Sequence, residues 1–510
     1  MHPLANKILS VDGHRAADSF AIENGVAGLA LMERAGQAVA REVTRRWAPR
    51  PVIVLCGPGN NGGDGFVMAR QLAEAGWPVD VALLADDADY GGDAAAMLSK
   101  WQGRTLPMAQ VDLAQYELII DAIFGAGLSR PLSGIAFQLA HKLDEAGGPI
   151  IAIDIPSGVV GDTGENGGCC FRADLTVTFN CLKPAHVLEP GRSLCGEVVL
   201  ADIGIPDGWE DGIEAEAELN APSLWPRLPL SDPGHIHKHQ KGRLCAVSGP
   251  STATGAARLA ASAGLRSGAG LVTLLSPPSA LQVNAMHLTA VMLDRFEDAQ
   301  SLIDALDARR ATATIIGPGC GVGEQTRQLV VAAASREGSL LLDADALTSF
   351  EEDPGSLFSH LRTHDVLTPH EGEFRRLFPK LFSHHRSKIE RTRMAAGLAG
   401  CVVLYKGSDT VIASPDGRVR VNTHASVHLA TAGSGDVLAG IIGGLLARGF
   451  SSFDAASIGA WVHGEAAIRL GAGLIAEDLP RILPEVFADV SRRRRIFAMR
   501  AALNARHNNA

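Results

Sequence analysis

The stretch Ala432-Gly433-Ser434-Gly435-Asp436-Val437-Leu438-Ala439-Gly440 joins three physical features in nine residues. Gly433 and Gly435 let the backbone turn tightly and approach a ligand with no Cβ in the way. Beyond them Val437, Leu438, Ile441, Ile442, Leu445 and Leu446 recur at helical spacing, so a helix begins at the turn. Its free N–H groups and positive dipole end then face an anion. Asp436 stands at that mouth, where a carboxylate can take the proton of a hydroxyl that attacks a phosphate held by the backbone. Taken alone, the stretch also reads as a glycine turn with an aspartate N-cap.

Upstream, the helix closes a β/α series that starts at Gly242. Apolar strands over residues 244–248, 271–276, 314–317, 340–343, 366–368 and 402–405 each run into a turn rich in glycine or polar residues. Strand ends of one parallel sheet converge on one crevice, which gathers Gly255, Gly319, His370, Lys406-Gly407 and Gly435-Asp436. His370 by itself reads as a hydrogen-bonded structural histidine. Asp343 and Asp345 either hold Mg²⁺ through water or, the preferred reading, Asp345 caps the next helix.

The first half repeats the pattern with different loops. An amphipathic helix over Val26–Trp47 precedes strands over residues 52–56, 79–84, 118–123, 150–155, 175–179 and 197–200. A helix is expected from Ser133 to Glu145. Asn60-Asn61-Gly62-Gly63-Asp64-Gly65 reads as a phosphate-cradling turn before a helix at Phe66. It is neither the dinucleotide fingerprint nor a Walker loop. Asn61, Asp121 and Ser157 bring one carboxylate and neutral oxygens to neighbouring strand ends. That set suits a weakly charged hard cation better than zinc, or else the residues only brace the loops.

At 510 residues, with 46% apolar and 20% charged, two or three globular domains are expected. Alternating strands and helices predict α/β architecture, with domains over residues 1–215 and 225–499. The boundary falls between Pro206 and His239, where composition turns acidic and then rich in proline and histidine. The His235, His237 and His239 cluster there reads as an exposed connector rather than a metal site. A net charge of -10 excludes a large basic footprint for nucleic acid. No charged-then-apolar leader opens the chain and no apolar run is long enough for a bilayer, so a cytoplasmic protein with no membrane partner is expected. The eight cysteines show no zinc spacing and read as small buried residues.

From about residue 235 to 475 the chain resembles the ADP-dependent NAD(P)H-hydrate dehydratases. The resemblance lies in His239-Gln240-Lys241-Gly242, Gly268-Ala269-Gly270-Leu271-Val272-Thr273, Ile316-Gly317-Pro318-Gly319, Asp343-Ala344-Asp345-Ala346-Leu347, Leu367-Thr368-Pro369-His370-Glu371-Gly372-Glu373-Phe374, Lys406-Gly407-Ser408-Asp409-Thr410 and Gly433 to Gly440. It implies a ribokinase-like fold. The implied reaction phosphorylates the C6 hydroxyl of a hydrated nicotinamide from ADP, with Mg²⁺ accompanying the nucleotide, and then eliminates phosphate. It also implies that Gly255, Gly319, His370 and Asp436 contact the hydrate, with Asp436 as base. Lys406, Gly407, Ser408, Asp409 and Thr410, with Gly435, would contact the adenosine phosphate. Many members carry Tyr where Ala253 stands.

Residues 8–205 resemble the NAD(P)H-hydrate epimerases, through Leu31-Met32-Glu33-Arg34-Ala35-Gly36, Gly57 to Gly65, Asp121-Ala122-Ile123-Phe124-Gly125 and Asp154-Ile155-Pro156-Ser157-Gly158. This resemblance implies a Rossmann-like αβα sandwich that interconverts R and S hydrates, with K⁺ on Asn61, Asp121 and Ser157. Its hydrate contacts would be Asn60, Asn61, Gly62, Gly63, Asp64, Gly125, Ala126, Gly127, Leu128, Ser129, Arg130, Pro131 and Asp154, with Asp154 the candidate acid/base. Many members have Asn in place of Arg34. A bifunctional repair enzyme acting on small molecules, assembled as a homo-oligomer, is the reading. The alternative is a ribokinase-like small-molecule kinase, for a hydroxymethylpyrimidine or a sugar, fused to a non-catalytic nucleotide-binding or scaffold domain.

Overall fold

The computed structural model describes residues 6–86, 89–128, 130–143, 147–227, 230, 238–382 and 386–492. Ser129, His235, His237, the end of the helix expected to reach Glu145 and the tail beyond residue 492 lie outside the described residues. The chain divides into two compact units, Met1–Glu218 and Leu219–Ala510.

The first unit comprises β1 (Lys7–Ile8), α1 (Val11–Glu23), α2 (Gly28–Arg46), β2 (Val52–Cys56), α3 (Asn60–Glu74), β3 (Val79–Leu83), α4 (Gly92–Leu98), β4 (Arg104–Pro107), β5 (Leu118–Ala122), α5 (Gly134–Leu143), β6 (Ile150–Ile153), β7 (Leu175–Phe179), α6 (Gly191–Leu194) and β8 (Glu197–Ala201). Strands β2 to β8 form a seven-stranded parallel sheet in the order β4-β3-β2-β5-β6-β7-β8. The apolar runs are continuous because both faces are covered. Val52, Val54 and Cys56 pack with α2 and α3, while Ile53 and Leu55 pack on the other face with α5.

Two elements of this unit differ from expectation. Helix α1 is absent from the sequence reading because its buried face is Gly13, Ala17 and Ala21, small residues with little hydrophobic signal; Ser10 caps it by accepting from the Gly13 N–H at 3.0 Å. The expected turn over Asn60–Gly65 is instead the start of α3. A Cβ at Gly62 would overlap the Gly57 carbonyl oxygen, so this glycine seats the helix against the strand end rather than turning the chain.

The second unit runs β10 (Arg243–Val247), α7 (Thr254–Arg266), β11 (Leu271–Ser276), α8 (Pro278–His287), β12 (Met292–Arg295), α9 (Ala299–Arg309), β13 (Ala313–Ile316), α10 (Glu324–Ala334), β14 (Ser339–Leu342), α11 (Asp345–Thr348), α12 (Pro354–Phe358), β15 (Val366–Leu367), α13 (Glu371–Leu377), α14 (Lys388–Ala399), β16 (Val402–Tyr405), β17 (Thr410–Ala413), β18 (Val419–Asn422), α15 (Ser434–Ala447) and α16 (Ser452–Leu470); β9 (Ala217–Leu219) precedes it at the boundary. Its sheet follows the order β18-β17-β16-β15-β14-β13-β10-β11-β12. The strands from β12 to β16 are parallel, and β17 and β18 add an antiparallel edge to which the sequence reading assigned no element. Part of the polar connector belongs to this core. Trp225 is buried against Trp461, ring centroids 5.6 Å apart, and the Asn220 side chain donates to Asn422 and Ser457.

Helix α15 is buried on every side from Val437 to Ala447. It lies so close to α7 that a Cβ at Gly440 would overlap the Ala260 carbonyl oxygen. Gly440→Val should therefore force the two helices apart and cost about 1–3 kcal/mol. Gly397, in α14, has nothing within 4 Å of its would-be Cβ. Gly397→Ala should instead stabilise by roughly 0.5–1 kcal/mol. The urea dependence of amide exchange in α15 and α14 measures both, and equal responses would remove the packing argument.

Candidate active sites

In the first unit a cavity of about 820 Å³ opens where the ends of β2, β5 and β6 meet. Asn60, Asn61 and Asp64 of α3, Gly125 to Leu128 and Arg130 after β5, and Asp154 after β6 line it. Gly62 and Gly63 do not, since they pack against Gly57 and Met32 inside the fold, and Pro131 also lies off the wall. Arg34 donates to the Ile203 and Gly204 carbonyls, 3.1 and 3.2 Å away, and ties α2 to the segment after β8.

Asp154 is the most heavily bonded group in the cavity. Its backbone is left-handed, φ 68°, which turns the carboxylate into the site. Oδ1 accepts from Lys183 Nζ at 2.7 Å and Thr178 Oγ1 at 3.1 Å, and Oδ2 accepts from the Ala126 N–H at 3.1 Å. Burial opposes its charge, but the Lys183 ammonium outweighs burial and holds the carboxyl below the usual carboxylate range. His186 accepts the Lys183 N–H on Nδ1, which leaves Nε2–H to donate to the Asp154 carbonyl at 2.8 Å. Burial lowers His186 to about 4.

Asp18 and His14 stand on the α1 wall of the same cavity. Burial pushes Asp18 up to about 6, against the pull of Lys183. It raises Asp64 well above the usual carboxylate range and lowers His14 well below the usual imidazole range. The sequence reading missed Lys183, Asp18, His14 and His186. The signal for Lys183 was its place just after β7, in the row of strand ends; the α1 residues had none.

Asp121 and Ser157 meet directly. Asp121 accepts Ser157 Oγ–H at 2.6 Å, the Ser157 N–H at 2.7 Å and the Ile123 N–H at 3.2 Å. The Asn61 side chain reaches the same turn, its Oδ1 3.2 Å from where a Gly125 Cβ would stand. Its Nδ2 is buried with no partner.

In the second unit the crevice forms at the start of α15. Gly433 caps the helix in a left-handed conformation, φ 86°. Lys406 Nζ donates to Asp343 Oδ1 at 2.7 Å and lies 3.9 Å from Glu373 Oε2. A Cβ at Gly435 would stand 3.8 Å from Lys406 Nζ and 3.9 Å from Asp343 Oδ2. Asp436 makes no hydrogen bond or ion pair among the described residues. Burial, helped by the nearby Asp343 carboxylate and opposed by Lys406, pushes it up to about 6. His370 caps α13: Nδ1 accepts the Gly372 and Glu373 N–H groups while Glu373 accepts the His370 N–H.

The remaining expected residues divide. Gly255 opens α7 one turn before Leu259, whose side chain packs on Gly433. Gly319 packs on Ala253 in the neighbouring loop. Asp409 is buried and faces Lys388 at 2.6 Å, while Thr410 Oγ1 donates to the Gly407 carbonyl at 2.8 Å, so these two shape the turn that presents Lys406 and Ser408. Asp345 does not cap its helix; its Oδ2 accepts the Gly321 N–H at 2.8 Å and pins the loop after β13. His463, on α16 under the Ser434 turn, was not anticipated; burial lowers it to about 4 and its Nε2 has no partner.

Residues 28–185 match the family described as YjeF-related protein N-terminus, and residues 244–484 match NAD(P)H-hydrate dehydratase. A bifunctional NAD(P)H-hydrate repair enzyme from Moorella thermoacetica is 37% identical over 91% of this chain and 93% of its own. One from Thermofilum pendens is 35% identical over 90% and 91%. The crystal structure of the ADP/ATP-dependent NAD(P)H-hydrate dehydratase from Bacillus subtilis, co-crystallised with ATP/Mg²⁺, is 27% identical. It covers 52% of this chain and 94% of its own, with a TM-score of 0.43. The fold and the family matches define an α/β enzyme built of two compact units. The chain belongs to the family of bifunctional NAD(P)H-hydrate repair enzymes. That membership decides against the small-molecule kinase alternative. No helix among the described residues is long and apolar enough to cross a membrane.

The Lys183–Asp154 pair sets a pH test. Asp154 is depressed on folding, so its contribution is present above the unfolded value near pH 4 and lost as pH falls through the folded value. Lys183→Met leaves a buried carboxylate alone, at a cost of about 3–5 kcal/mol. Burial then raises the Asp154 pKa, so the deficit should be largest at pH 7.5 and shrink toward pH 4.5. Urea unfolding followed by amide exchange in β6 reads this, and a deficit equal at both pH values would contradict it.

Proposed function

We propose that Asp436 is the base of the dehydratase centre and Asp154 the acid/base of the epimerase centre. The enzyme interconverts the R and S forms of hydrated NAD(P)H and dehydrates the S form at the expense of ADP, giving NAD(P)H, AMP and phosphate. Residues 1–215 carry the first reaction and 225–499 the second. The observation that supports this most is Asp436: an unpartnered carboxyl at the mouth of α15, beside Lys406 and the N–H groups of Gly433 to Gly435.

At that mouth the helix N-terminus receives the phosphoryl group and Lys406 meets its charge. Asp436 removes the proton of the C6 hydroxyl as its oxygen attacks phosphorus. Gly255, Gly319 and His370 line the hydrate side, and Gly407 to Thr410 the nucleotide side. Asp343, Glu373 and Asp436 surround one ammonium, and this excess of negative charge fits Mg²⁺ arriving with ADP. Bound there, Mg²⁺ neutralises phosphate charge. Cys56, Cys181, Cys195, Cys245 and Cys401 are buried as small apolar side chains, which suits a reducing cytoplasmic location. The exposed apolar side chains of Met286, Leu398 and Val427 offer surface for the homo-oligomer.

Asp436→Asn should lower dehydration by about 10²–10⁴-fold while leaving epimerisation within two-fold. In the wild type, dehydration should fall as pH drops below about 6, because the base must be ionised. Absorbance of the restored dihydronicotinamide follows the reaction. A variant that dehydrates at near wild-type rate would exclude Asp436 as base.

The epimerase site also fits K⁺. Asp121 is a fully buried carboxylate with no cationic partner among the described residues, and the Asn61 carbonyl oxygen reaches the turn after β5. Asn61, Asp121 and Ser157 would hold the ion, which supplies a fixed charge near the substrate's phosphates. Exchanging K⁺ for a bulky organic cation at constant ionic strength should raise the epimerase KM more than it lowers kcat. Asp121→Ala should do the same and abolish the response. Unchanged kinetics would leave these residues as loop braces.

A further inference from the structure

We propose that Asp18 is a second catalytic residue of the epimerase centre, giving a proton to the C6 hydroxyl from the α1 wall while Asp154 takes one from water at the opposite face. The proposal rests on the Asp154 reading above. Epimerisation at a carbon bearing hydroxyl and ring nitrogen needs the C6 oxygen to leave one face and return on the other. That calls for two acid/base groups in opposite protonation states on different walls.

The cavity has that arrangement. Asp154 stands at the end of β6, bound by Lys183, Thr178 and the Ala126 N–H, and is held as a carboxylate. Asp18 comes from α1, whose residues 11, 14, 15, 18 and 22 share one face and all line the cavity. Asp18 is exposed on the cavity side of α1, and its carboxyl makes no hydrogen bond or ion pair among the described residues. One turn away, His14 Nε2 is buried without a partner among the described residues. Two carboxyls whose surroundings push them apart are the usual mark of an acid and a base sharing one site. Burial brings Asp18 to about 6, within reach of both protonation states near neutrality. Asp64 is raised much further and is the poorer proton donor in a cycle that must also run backwards.

The steps balance. Asp18 protonates the C6 hydroxyl, the C6–O bond breaks with its electron pair on oxygen, and water leaves. The N1 lone pair forms N1=C6. Water then adds at the other face, its proton passes to Asp154, and the π pair returns to nitrogen. The product is the other epimer, with Asp18 ionised and Asp154 protonated; the reverse reaction, or proton exchange with solvent, resets both.

The charged and titratable groups that share the cavity with Asp18 include Lys183, Asp154, Asp64 on α3, Asp93 on α4, and His14 and Arg15 on its own helix; Lys183 and Asp154 act on it electrostatically. Because Asp18 acts protonated, epimerase kcat/KM should decline as pH rises past about 6. Asp18→Asn should lower kcat by about 10²-fold or more, with KM little changed, and abolish that decline. Dehydration of the S hydrate by the same full chain should be unaffected. Asp18→Glu should recover a measurable part of the rate and of the decline. Epimerisation in ¹⁸O-labelled water should place label at C6. Near wild-type activity in Asp18→Asn, a persistent decline, equal loss in the Asn and Glu variants, or turnover without label would each overturn the proposal, as would loss of the decline in Asp64→Asn. Asp154→Asn separates the two readings. Loss there with activity kept in Asp18→Asn defeats Asp18 alone, and loss only in Asp18→Asn defeats the Asp154 reading.

Discussion

A carboxylate removed from water must be paired or lose its charge, and both active sites are arranged around that constraint. Each is built on one lysine, buried in the case of Lys183 and half-buried in the case of Lys406. Lys183 meets Asp154 at 2.7 Å, and Lys406 meets Asp343 at the same distance. Each site then places a second carboxyl nearby that the lysine does not bind. Asp436, half-buried, is pushed up to about 6 by burial, and Asp18, exposed on its cavity side but crowded by protein, reaches the same value. The ion pair fixes lysine and carboxylate together, and in the epimerase centre that carboxylate is also the proposed acid/base. The unpaired one is left free to move a proton near neutral pH.

The scaffolds that hold these pairs rely on close backbone approach more than on bulky cores. Gly62 seats α3 against the Gly57 carbonyl, which aims Asn60, Asn61 and Asp64 into the cavity. Gly440 seats α15 against α7, and that contact points the N-terminus of α15, with Asp436, at Lys406. Large side chains at these contacts would shift a helix by more than the tolerance of a hydrogen-bonded site. The glycine and alanine content is therefore a condition of function here.

Several side chains around the crevice also hold their own loops. Asp345 pins the Gly321 turn, Asp409 faces Lys388, and His370 caps α13 through a reciprocal bond with Glu373. Each satisfies backbone or charge at a strand end, where the crevice walls are made of exposed N–H and C=O groups. A polar residue at a strand end is thus a weak sign of catalysis. The stronger sign is a polar group left without a partner, as at Asp436, Asp18 and the Asn61 amide.

The local patterns by themselves determined the alternation of strands and helices, because parallel strands buried on both faces are continuous apolar runs. They also determined the helix start at Ser434 and the placing of Asp436 and Asp154 at strand or helix ends. Tertiary structure decided the rest. Helix α1, with only small residues on its buried face, carries no periodic signal, yet it brings Asp18 and His14 to the cavity. The Asn60–Gly65 glycines look like a turn until their packing partners are known, the Gly57 carbonyl for Gly62, Met32 for Gly63 and Ala122 for Gly65. Trp225 sits in a stretch whose composition reads as linker and is buried by contacts with a helix more than two hundred residues away. Lys183 becomes the partner of Asp154 only when β6 and β7 lie side by side. Pattern along the chain reports local conformation, whereas charge pairing and close approach depend on residues distant in sequence, which no local pattern encodes.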